Sequence, residues 1–173
     1  MTSNRPLKVF EVASSAMFLV LVVLAWGSWR PFFASPPRTG VIVIGGLATV
    51  AALFTDASVS PGKREDVANR WVLAPLMLGT VAATVLPPYL ERIDLWTFDG
   101  DAARYAGLVL VALGTILRMW PVFVLGHRFS GLVAIQENHS LVTTGPYRRV
   151  RHPSYLGMLL FVVGWGFVFP GVY

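Results

Sequence analysis

Cysteine is absent from this 173-residue chain, so disulfide bonds, cysteine-based zinc sites and thiol nucleophiles are excluded. Charged residues are scarce at 13% of the sequence, whereas 55% of the residues are hydrophobic. A soluble domain of this size cannot hide so much apolar surface from water, and the bilayer is the solvent that such a composition fits. We therefore expect an all-α, polytopic membrane protein.

Acidic residues are also few, with nine against 14 lysines and arginines. The basic residues lie between hydrophobic runs rather than along one face, which indicates membrane lipids as partners and argues against nucleic acid. The three histidines, His127, His139 and His152, have neither the spacing nor a nearby acid that a metal site needs. No metal is predicted.

Five hydrophobic runs predict five transmembrane helices in a single membrane domain of residues 1–173. They cover residues 9–29, 40–54, 71 to about 86, 105 to about 125, and 155–173. We interpret the first as a retained helix rather than a signal peptide, because Trp26 and Trp29 resemble an interfacial belt and not a cleavage site. Pro87 and Pro88 are predicted to end the third helix.

The second hydrophobic run is short for a membrane crossing. At 1.5 Å per residue it must borrow its flanks or pack closely on a neighbouring helix. Four small residues in this run would permit such an approach. They are Gly45, Gly46, Ala48 and Ala52.

Positive charge is unequal on the two sides that five crossings define. One side holds nine lysines and arginines: Arg5, Lys8, Lys63, Arg64, Arg70, Arg128, Arg148, Arg149 and Arg151. The other side holds four: Arg30, Arg38, Arg92 and Arg104. The positive-inside rule therefore places the amino terminus and the loop 126–152 in the cytoplasm.

The loop 126–152 is long for a connection between membrane helices, and its composition predicts structure rather than disorder. It runs into RHPSYLGMLL, where Pro153 falls in the first helical turn and its missing N–H is no loss. The N–H groups of Ser154, Tyr155 and Leu156 would then be free to hold an anion. The simpler alternative is that the arginines anchor lipid phosphates and the tyrosines form an aromatic belt.

The residues GPYRRVRHPSY, with HSLV before them, resemble the signature of the isoprenylcysteine carboxyl methyltransferase family of integral membrane enzymes. LGTILRMWPVFVLGHRFSGLVAI, which begins at Leu113, is similar to the helix and loop that precede this signature. The likeness covers about residues 113–160. It implies that residues 105–173 are a methyltransferase-like region that binds S-adenosyl-L-methionine, whereas residues 1–104, with helices 1–3, resemble the family only in hydrophobicity.

The resemblance assigns ten residues to the S-adenosylmethionine pocket. These are Gln136, His139, Ser140, Leu141, Val142, Tyr147, His152, Pro153, Ser154 and Tyr155. It assigns no catalytic residue, and Arg118 and Arg151 are the candidates. Arg118 lies inside a hydrophobic run, so it either pairs or acts in function, or it snorkels to the nearer interface. Arg148 and Arg149 are expected to anchor lipid.

The implied function is transfer of a methyl group from S-adenosylmethionine to an amphiphilic acceptor, first of all the carboxylate of a prenylcysteine-like substrate. Two alternatives remain: a phospholipid N-methyltransferase, and a non-catalytic membrane protein that keeps the fold for binding. Family members continue with a further helix, an arginine and paired glutamates, but no acidic residue follows Glu137 here. The chain is therefore expected to lack the C-terminal part of the family.

Overall fold

The computed structural model describes residues 5–54, 71, 73–95, 100–125, 145–148 and 150–170. Regular structure in these residues is entirely helical, which confirms the all-α prediction for the described part of the chain. The α-helices are α1 (Arg5–Trp26), α2 (Trp29–Ala34), α3 (Pro36–Leu53), α4 (Leu73–Arg92), α5 (Asp101–Leu125) and α6 (Pro153–Val168). A 3₁₀ turn (Gly145–Arg148) precedes α6.

The described residues form six helices rather than five, because the first hydrophobic run is split. Its prediction as one helix to Trp29 is wrong at that end. Helix α1 stops at Trp26, and Gly27 takes a φ of +97°, a conformation that residues with a side chain rarely adopt. The N–H of Gly27 donates to the carbonyl of Val23 at 3.1 Å and closes the last turn. The short helix α2 then begins after Ser28.

The prediction that Pro87 and Pro88 end the third long helix is also wrong, because α4 continues through both prolines to Arg92. Proline has no N–H, so Pro88 leaves the carbonyl of Thr84 without its usual donor one turn later. The indole N–H of Trp165 in α6 donates to this carbonyl at 3.2 Å. A neighbouring helix thus satisfies the backbone group that the proline frees, which makes the interruption tolerable.

The ends of the remaining helices differ only modestly from the predicted ones. Helix α3 begins at Pro36 and has 18 residues, so the second run does borrow its flank, as predicted. A Cβ on Gly45 would lie 3.1 Å from the side chain of Leu19 in α1, whereas one on Gly46 would meet nothing within 4 Å. Only the first of these glycines serves close packing.

The last two helices begin before the predicted positions, and α6 also ends early. Helix α5 starts at Asp101, with its acidic side chain in the first turn, and not at Tyr105. Helix α6 starts at Pro153 and ends at Val168, whereas the prediction ran over 155–173. Two described helices, over Pro36–Leu53 and Asp101–Val124, are long and apolar enough to cross a membrane, and two shorter apolar helices cover Val12–Trp26 and Pro153–Val168.

The five long helices alternate in direction, which gives the bundle two distinct ends. At one end the ammonium group of Lys8 in α1 donates to the carbonyl of Leu53, the last residue of α3, at 2.7 Å. The 3₁₀ turn and the start of α6 lie at this same end, which we call the loop end. The opposite end, where α1 and α4 finish and α3 and α5 begin, is the charged end.

Helices α5 and α6 run antiparallel with their backbones in contact. Four glycines make this possible, and we call them the glycine seam: Gly107 and Gly114 in α5, Gly157 and Gly164 in α6. Gly107 faces Gly164, and Gly114 faces Gly157. A Cβ on any of the four would lie 2.6–2.7 Å from a backbone atom of the facing helix, so nothing larger than hydrogen fits.

The charged end is held by one buried carboxylate, that of Glu91 in α4. It forms salt bridges with Arg38 of α3 and, at 3.2 Å, with Arg104 of α5. The indole N–H of Trp26 donates to it at 3.1 Å, and the Arg38 guanidinium lies 4.5 Å from the centre of the Trp26 ring. We call these four residues the carboxylate cluster. These residues come from α1, α3, α4 and α5. Because an unpaired charge could not stay buried there, the contacts with Glu91 hold these four helices together.

Candidate functional site

The signature turn rests directly on α5 at the loop end. Gly145 begins the 3₁₀ turn with a φ of +63°, which favours glycine. A Cβ at this position would come within 3.3 Å of the indole nitrogen of Trp120. The glycine thus permits both the backbone conformation and the close approach. As a result, the turn is docked on the C-terminal half of α5.

Tyr147, the third residue of this turn, is half-buried. Burial raises the pKa of its hydroxyl above the usual value of 10.0, because the phenolate would lose water contacts. The side chain therefore stays neutral at physiological pH. It offers an aromatic face and a hydroxyl that both donates and accepts hydrogen bonds.

Helix α6 begins as the sequence predicts, with Pro153 buried at its first position and His152 as the N-cap. The prediction of three free N–H groups is wrong in part. The carbonyl of His152 accepts from the N–H of Tyr155 at 3.1 Å and of Leu156 at 3.2 Å, because an N-cap carbonyl takes the first helical bonds. Of the three, only the N–H of Ser154 has no such bond within the described residues.

The imidazole of His152 does not cap the helix and is free for another use. Its side chain makes no capping hydrogen bond and is exposed. The ring stacks on that of Tyr155, with centroids 5.4 Å apart and an interplanar angle of 29°. Tyr155 is itself 69% exposed, so the pair presents aromatic surface at the loop end rather than filling the core.

The structure describes half of the predicted pocket residues. Tyr147 and the four residues 152–155 lie in the turn and the first turn of α6. The other five, Gln136, His139, Ser140, Leu141 and Val142, lie outside the described residues, as does Arg149.

Arg118 and Arg151 both have exposed side chains. Among the described residues no acid forms a salt bridge with Arg118. The backbone N of Arg118 lies beside Gly157, so its helix turn is part of the glycine seam contact. A catalytic role for either arginine stays a prediction.

An apolar groove between α3 and α5 opens beside the signature turn. Its volume is about 590 Å³, and Trp120, which the turn rests on, also lines it. Ala48 and Ala51 form part of the α3 wall, and Ala112 and Met119 part of the α5 wall. This groove was not predicted from the sequence. The sequence does contain an indication of the groove, since small residues of α3 and α5 at helical spacing leave room between two otherwise bulky helices.

Known proteins are similar to this chain in the same part of the molecule, which includes α5, the signature turn and α6. The model of the isoprenylcysteine carboxyl methyltransferase (ICMT) family matches residues 107–170. The "Probable protein-S-isoprenylcysteine O-methyltransferase" of Oryza sativa subsp. indica is 40% identical over 128 residues, which cover 72% of this chain and 63% of the relative. Residues 107–170 of this chain thus resemble the isoprenylcysteine carboxyl methyltransferase family. The matched range contains the whole glycine seam, the turn and α6.

Further ICMT-family relatives extend the likeness to other parts of the chain. The protein-S-isoprenylcysteine O-methyltransferase of Tribolium castaneum is 30% identical over 168 residues, 90% of this chain and 57% of the relative. Protein-S-isoprenylcysteine O-methyltransferase A of Arabidopsis thaliana is 43% identical over 60 residues, 34% of this chain and 30% of the relative. The chain thus spans 63% of the rice relative's length. No solved structure matches.

Four described residues at the loop end could hold a cofactor. The exposed, stacked rings of His152 and Tyr155 offer π-faces to a purine or a sulfonium cation. The neutral hydroxyl of Tyr147 adds a hydrogen-bonding group, and the N–H of Ser154 at the helix start suits an anion such as a carboxylate. The described residues contain no cluster of three metal-ligating side chains.

Proposed function

We propose that this chain is an integral membrane methyltransferase whose residues 105–173 bind S-adenosylmethionine and present it to an amphiphilic acceptor, the carboxylate of a prenylcysteine-like substrate. One observation carries the proposal: the signature turn, through Gly145, and an apolar groove meet at Trp120. A cofactor surface beside a lipid-sized groove is what a methyl transfer to a lipidated carboxylate requires. The relatives named above are called protein-S-isoprenylcysteine O-methyltransferases, which supports the same acceptor.

Methyl transfer to a carboxylate requires correct placement of the cofactor and the acceptor rather than acid or base catalysis. S-adenosylmethionine, when bound, supplies a methyl group on a cationic sulfonium, and a carboxylate acceptor is already a competent nucleophile. The residues at the loop end therefore have to orient two molecules and exclude water. His152 and Tyr155 would hold the cofactor through their ring faces. Arg151, exposed beside them, would attract a carboxylate.

The membrane arrangement follows from the alternating helices. Helices α1, α3, α4, α5 and α6 would cross the bilayer, with the loop end on the cytoplasmic side, where the excess of lysine and arginine lies. A water-soluble cofactor would then reach the signature turn from the cytoplasm, while a lipidic acceptor arrives sideways from the bilayer. Many large apolar side chains on these helices are exposed, as lipid contact requires.

Single cysteines test this arrangement cleanly, because the native chain contains none. Cysteines introduced by Ser60→Cys and Asn138→Cys should react with a membrane-impermeant reagent from the same side. A cysteine introduced by Asp99→Cys should react from the opposite side. Labelling of position 99 from the cytoplasmic side contradicts the topology.

Methyl incorporation from labelled S-adenosylmethionine tests the activity. We expect transfer to prenylcysteine analogues and none to phosphatidylethanolamine. Transfer to the phospholipid instead identifies an N-methyltransferase. Binding of the cofactor without transfer to either acceptor identifies a non-catalytic protein of the same fold.

The cofactor role of the stacked pair is tested by substitution. His152→Ala should weaken S-adenosylmethionine binding roughly tenfold, the loss expected for one good contact to a charged group. Tyr155→Phe keeps the ring and should lose less, because stacking needs no hydroxyl. The melting temperature in detergent should hardly change, since both side chains are exposed.

Calorimetric titration and melting curves on the same samples measure both effects. Tyr105→Phe is the matched control, because it removes an exposed tyrosine hydroxyl near the charged end of α5. Strong destabilisation by His152→Ala with unchanged cofactor affinity would show that the signature residues at the start of α6 serve only as a helix cap.

A further inference from the structure

Two arginines meet the joint between α1 and α2 at the charged end. The guanidinium of Arg92, in the last turn of α4, packs on Gly27 so closely that a Cβ on this glycine would lie 2.5 Å from its Cζ. The guanidinium of Arg30 lies over the ring of Trp29, 5.2 Å from its centre. Both arginines are exposed. Two cations therefore approach the same short segment of chain, and we call residues 27–30 together with Arg92 the arginine joint.

The nearest acid is already bound by other cations. Glu91, which precedes Arg92 in the chain, is shared between Arg38 and Arg104. In the part of the chain that the structure describes, neither Arg30 nor Arg92 forms a salt bridge. Two guanidinium groups on one segment repel each other unless an anion lies between them. The arginine joint is therefore a place of unbalanced positive charge on the surface.

The surroundings of the arginine joint have the character of a membrane interface. Trp29, Tyr89 and Tyr105 are all exposed at the charged end, and amphipathic rings of this kind lie at the level of the lipid headgroups. Leu24, one turn before Gly27, is exposed as well, so apolar surface continues from the joint along α1. An anion bound here would have guanidinium groups beside it and apolar surface next to them. This combination suits the phosphate of a lipid better than a free anion.

We propose that the arginine joint binds the phosphate of an anionic phospholipid in the leaflet at the charged end. Arg30 and Arg92 donate to the phosphate oxygens, because the guanidinium fork matches their geometry. An acyl chain lies along α1 past Leu24. A zwitterionic lipid binds less well, since its headgroup brings a further cation beside two arginines. The site lies at the opposite end from the signature turn and does not depend on methyl transfer.

Photo-crosslinking tests the site in the full, unaltered chain. The protein is reconstituted in phosphatidylcholine vesicles that contain a minor fraction of phosphatidylglycerol with a photoreactive headgroup. Cross-links should concentrate in residues 24–34 and around Arg92, and excess unlabelled phosphatidylglycerol should remove them. Cross-links spread evenly over both ends of the bundle overturn the proposal, because they indicate bulk lipid. Removal of the cross-links by inorganic phosphate also overturns it, because the site then takes a free anion.

Removing one guanidinium should weaken this local binding. In Arg92→Gln the phosphatidylglycerol concentration for half-maximal cross-linking of residues 24–34 should rise roughly tenfold, the loss of one hydrogen bond to a charged group. Arg30→Gln should act in the same direction. Arg148→Gln is the matched control, because it removes the same charge from an exposed position at the loop end. An equal rise in Arg148→Gln would show attraction by net charge alone and overturn the proposal.

Gly27→Ala tests the geometry without changing the charge. Its Cβ would occupy the place of the Arg92 guanidinium and displace it, so cross-linking of residues 24–34 should fall several-fold. Gly46→Ala, whose Cβ meets nothing within 4 Å, should leave it unchanged. Because Gly27 has a φ of +97°, alanine also strains the backbone, and melting curves accompany each variant. If Gly27→Ala melts early, Arg92→Gln decides, and undiminished cross-linking in an Arg92→Gln protein that melts like the parent overturns the site.

Discussion

The glycine seam and the carboxylate cluster hold the same bundle together by opposite means. In the seam, α5 and α6 meet backbone to backbone, and the contact exists because four side chains are missing. In the carboxylate cluster, long side chains from four helices converge on Glu91. The seam is therefore sensitive to added volume and indifferent to charge, whereas the cluster is sensitive to a single change of charge.

The two regions also differ in what they position. The seam fixes the start of α6, with His152 and Tyr155, against the half of α5 that carries Trp120 and the groove. The cluster lies at the other end and gathers α1, α3 and α4 around the start of α5. Geometry of the candidate site should thus depend on the seam directly and on the cluster only through the stability of the whole bundle.

The largest effect should come from adding one methyl group to the seam. In Gly114→Ala the new Cβ would lie 2.6 Å from the carbonyl oxygen of Gly157, so the helices must separate. We expect a loss of about 3 kcal/mol or more of unfolding free energy, the upper range for overpacking. Cofactor binding should fall as well, because α6 moves.

Gly46→Ala in α3 is the control for Gly114→Ala. Nothing lies within 4 Å of its Cβ, and alanine favours the helix by up to about 1 kcal/mol. Unfolding in detergent, followed by circular dichroism, measures both variants. A Gly114→Ala protein as stable as the Gly46→Ala protein would show that α5 and α6 are not in backbone contact.

The next effect in size concerns the cluster. Glu91→Gln keeps the shape of the side chain but leaves Arg38 and Arg104 without their shared counter-charge in a buried site. Removing one partner of such an ion pair costs about 3 kcal/mol. Cofactor affinity of the remaining folded protein should be unchanged, since the loop end is not touched.

Asp101→Asn removes a carboxylate that is exposed in the first turn of α5. Its cost should stay below about 1 kcal/mol, the usual value for a charge near a helix terminus. The same unfolding assay compares it with Glu91→Gln. Equal costs would mean that the carboxylate of Glu91 is solvated rather than shared between Arg38 and Arg104.

A smaller effect tests the bond that joins the two regions, from Trp165 in α6 to the carbonyl of Thr84 in α4. Trp165→Phe should cost about 1 kcal/mol for the lost hydrogen bond, beyond the change in ring size. Pro88→Ala restores an amide hydrogen at position 88 that can satisfy this carbonyl within α4. Trp165→Phe should then cost less in the Pro88→Ala background, and a double-mutant cycle measures the difference. Strict additivity would contradict the assigned bond.

The sequence predicted these regions unequally. Hydropathy located all five long helices, and the signature located Pro153 at the start of α6, because both are local patterns. The passage of α4 through Pro87 and Pro88 was missed, since its rescue by Trp165 is a tertiary contact. Arg38 and Arg104 were counted only as charges on one side, because nothing in the sequence aligns them with Glu91. The groove between α3 and α5 was not predicted for the same reason.

The smallest effect concerns Tyr147, which belongs to neither region and rests at the loop end. Its pKa is raised by burial, so the folded state holds the phenolic proton more tightly than the unfolded state does. This contribution to stability is complete below the unfolded pKa near 10 and is lost as the pH rises through the folded value. From pH 7 to 9 the melting temperatures of the parent and of Tyr147→Phe should therefore run parallel. Above pH 10 the parent should lose stability faster, because only it must ionise the half-buried hydroxyl of Tyr147. Parallel curves up to pH 11 for Tyr147→Phe and the parent would show that the Tyr147 hydroxyl is exposed to water rather than half-buried.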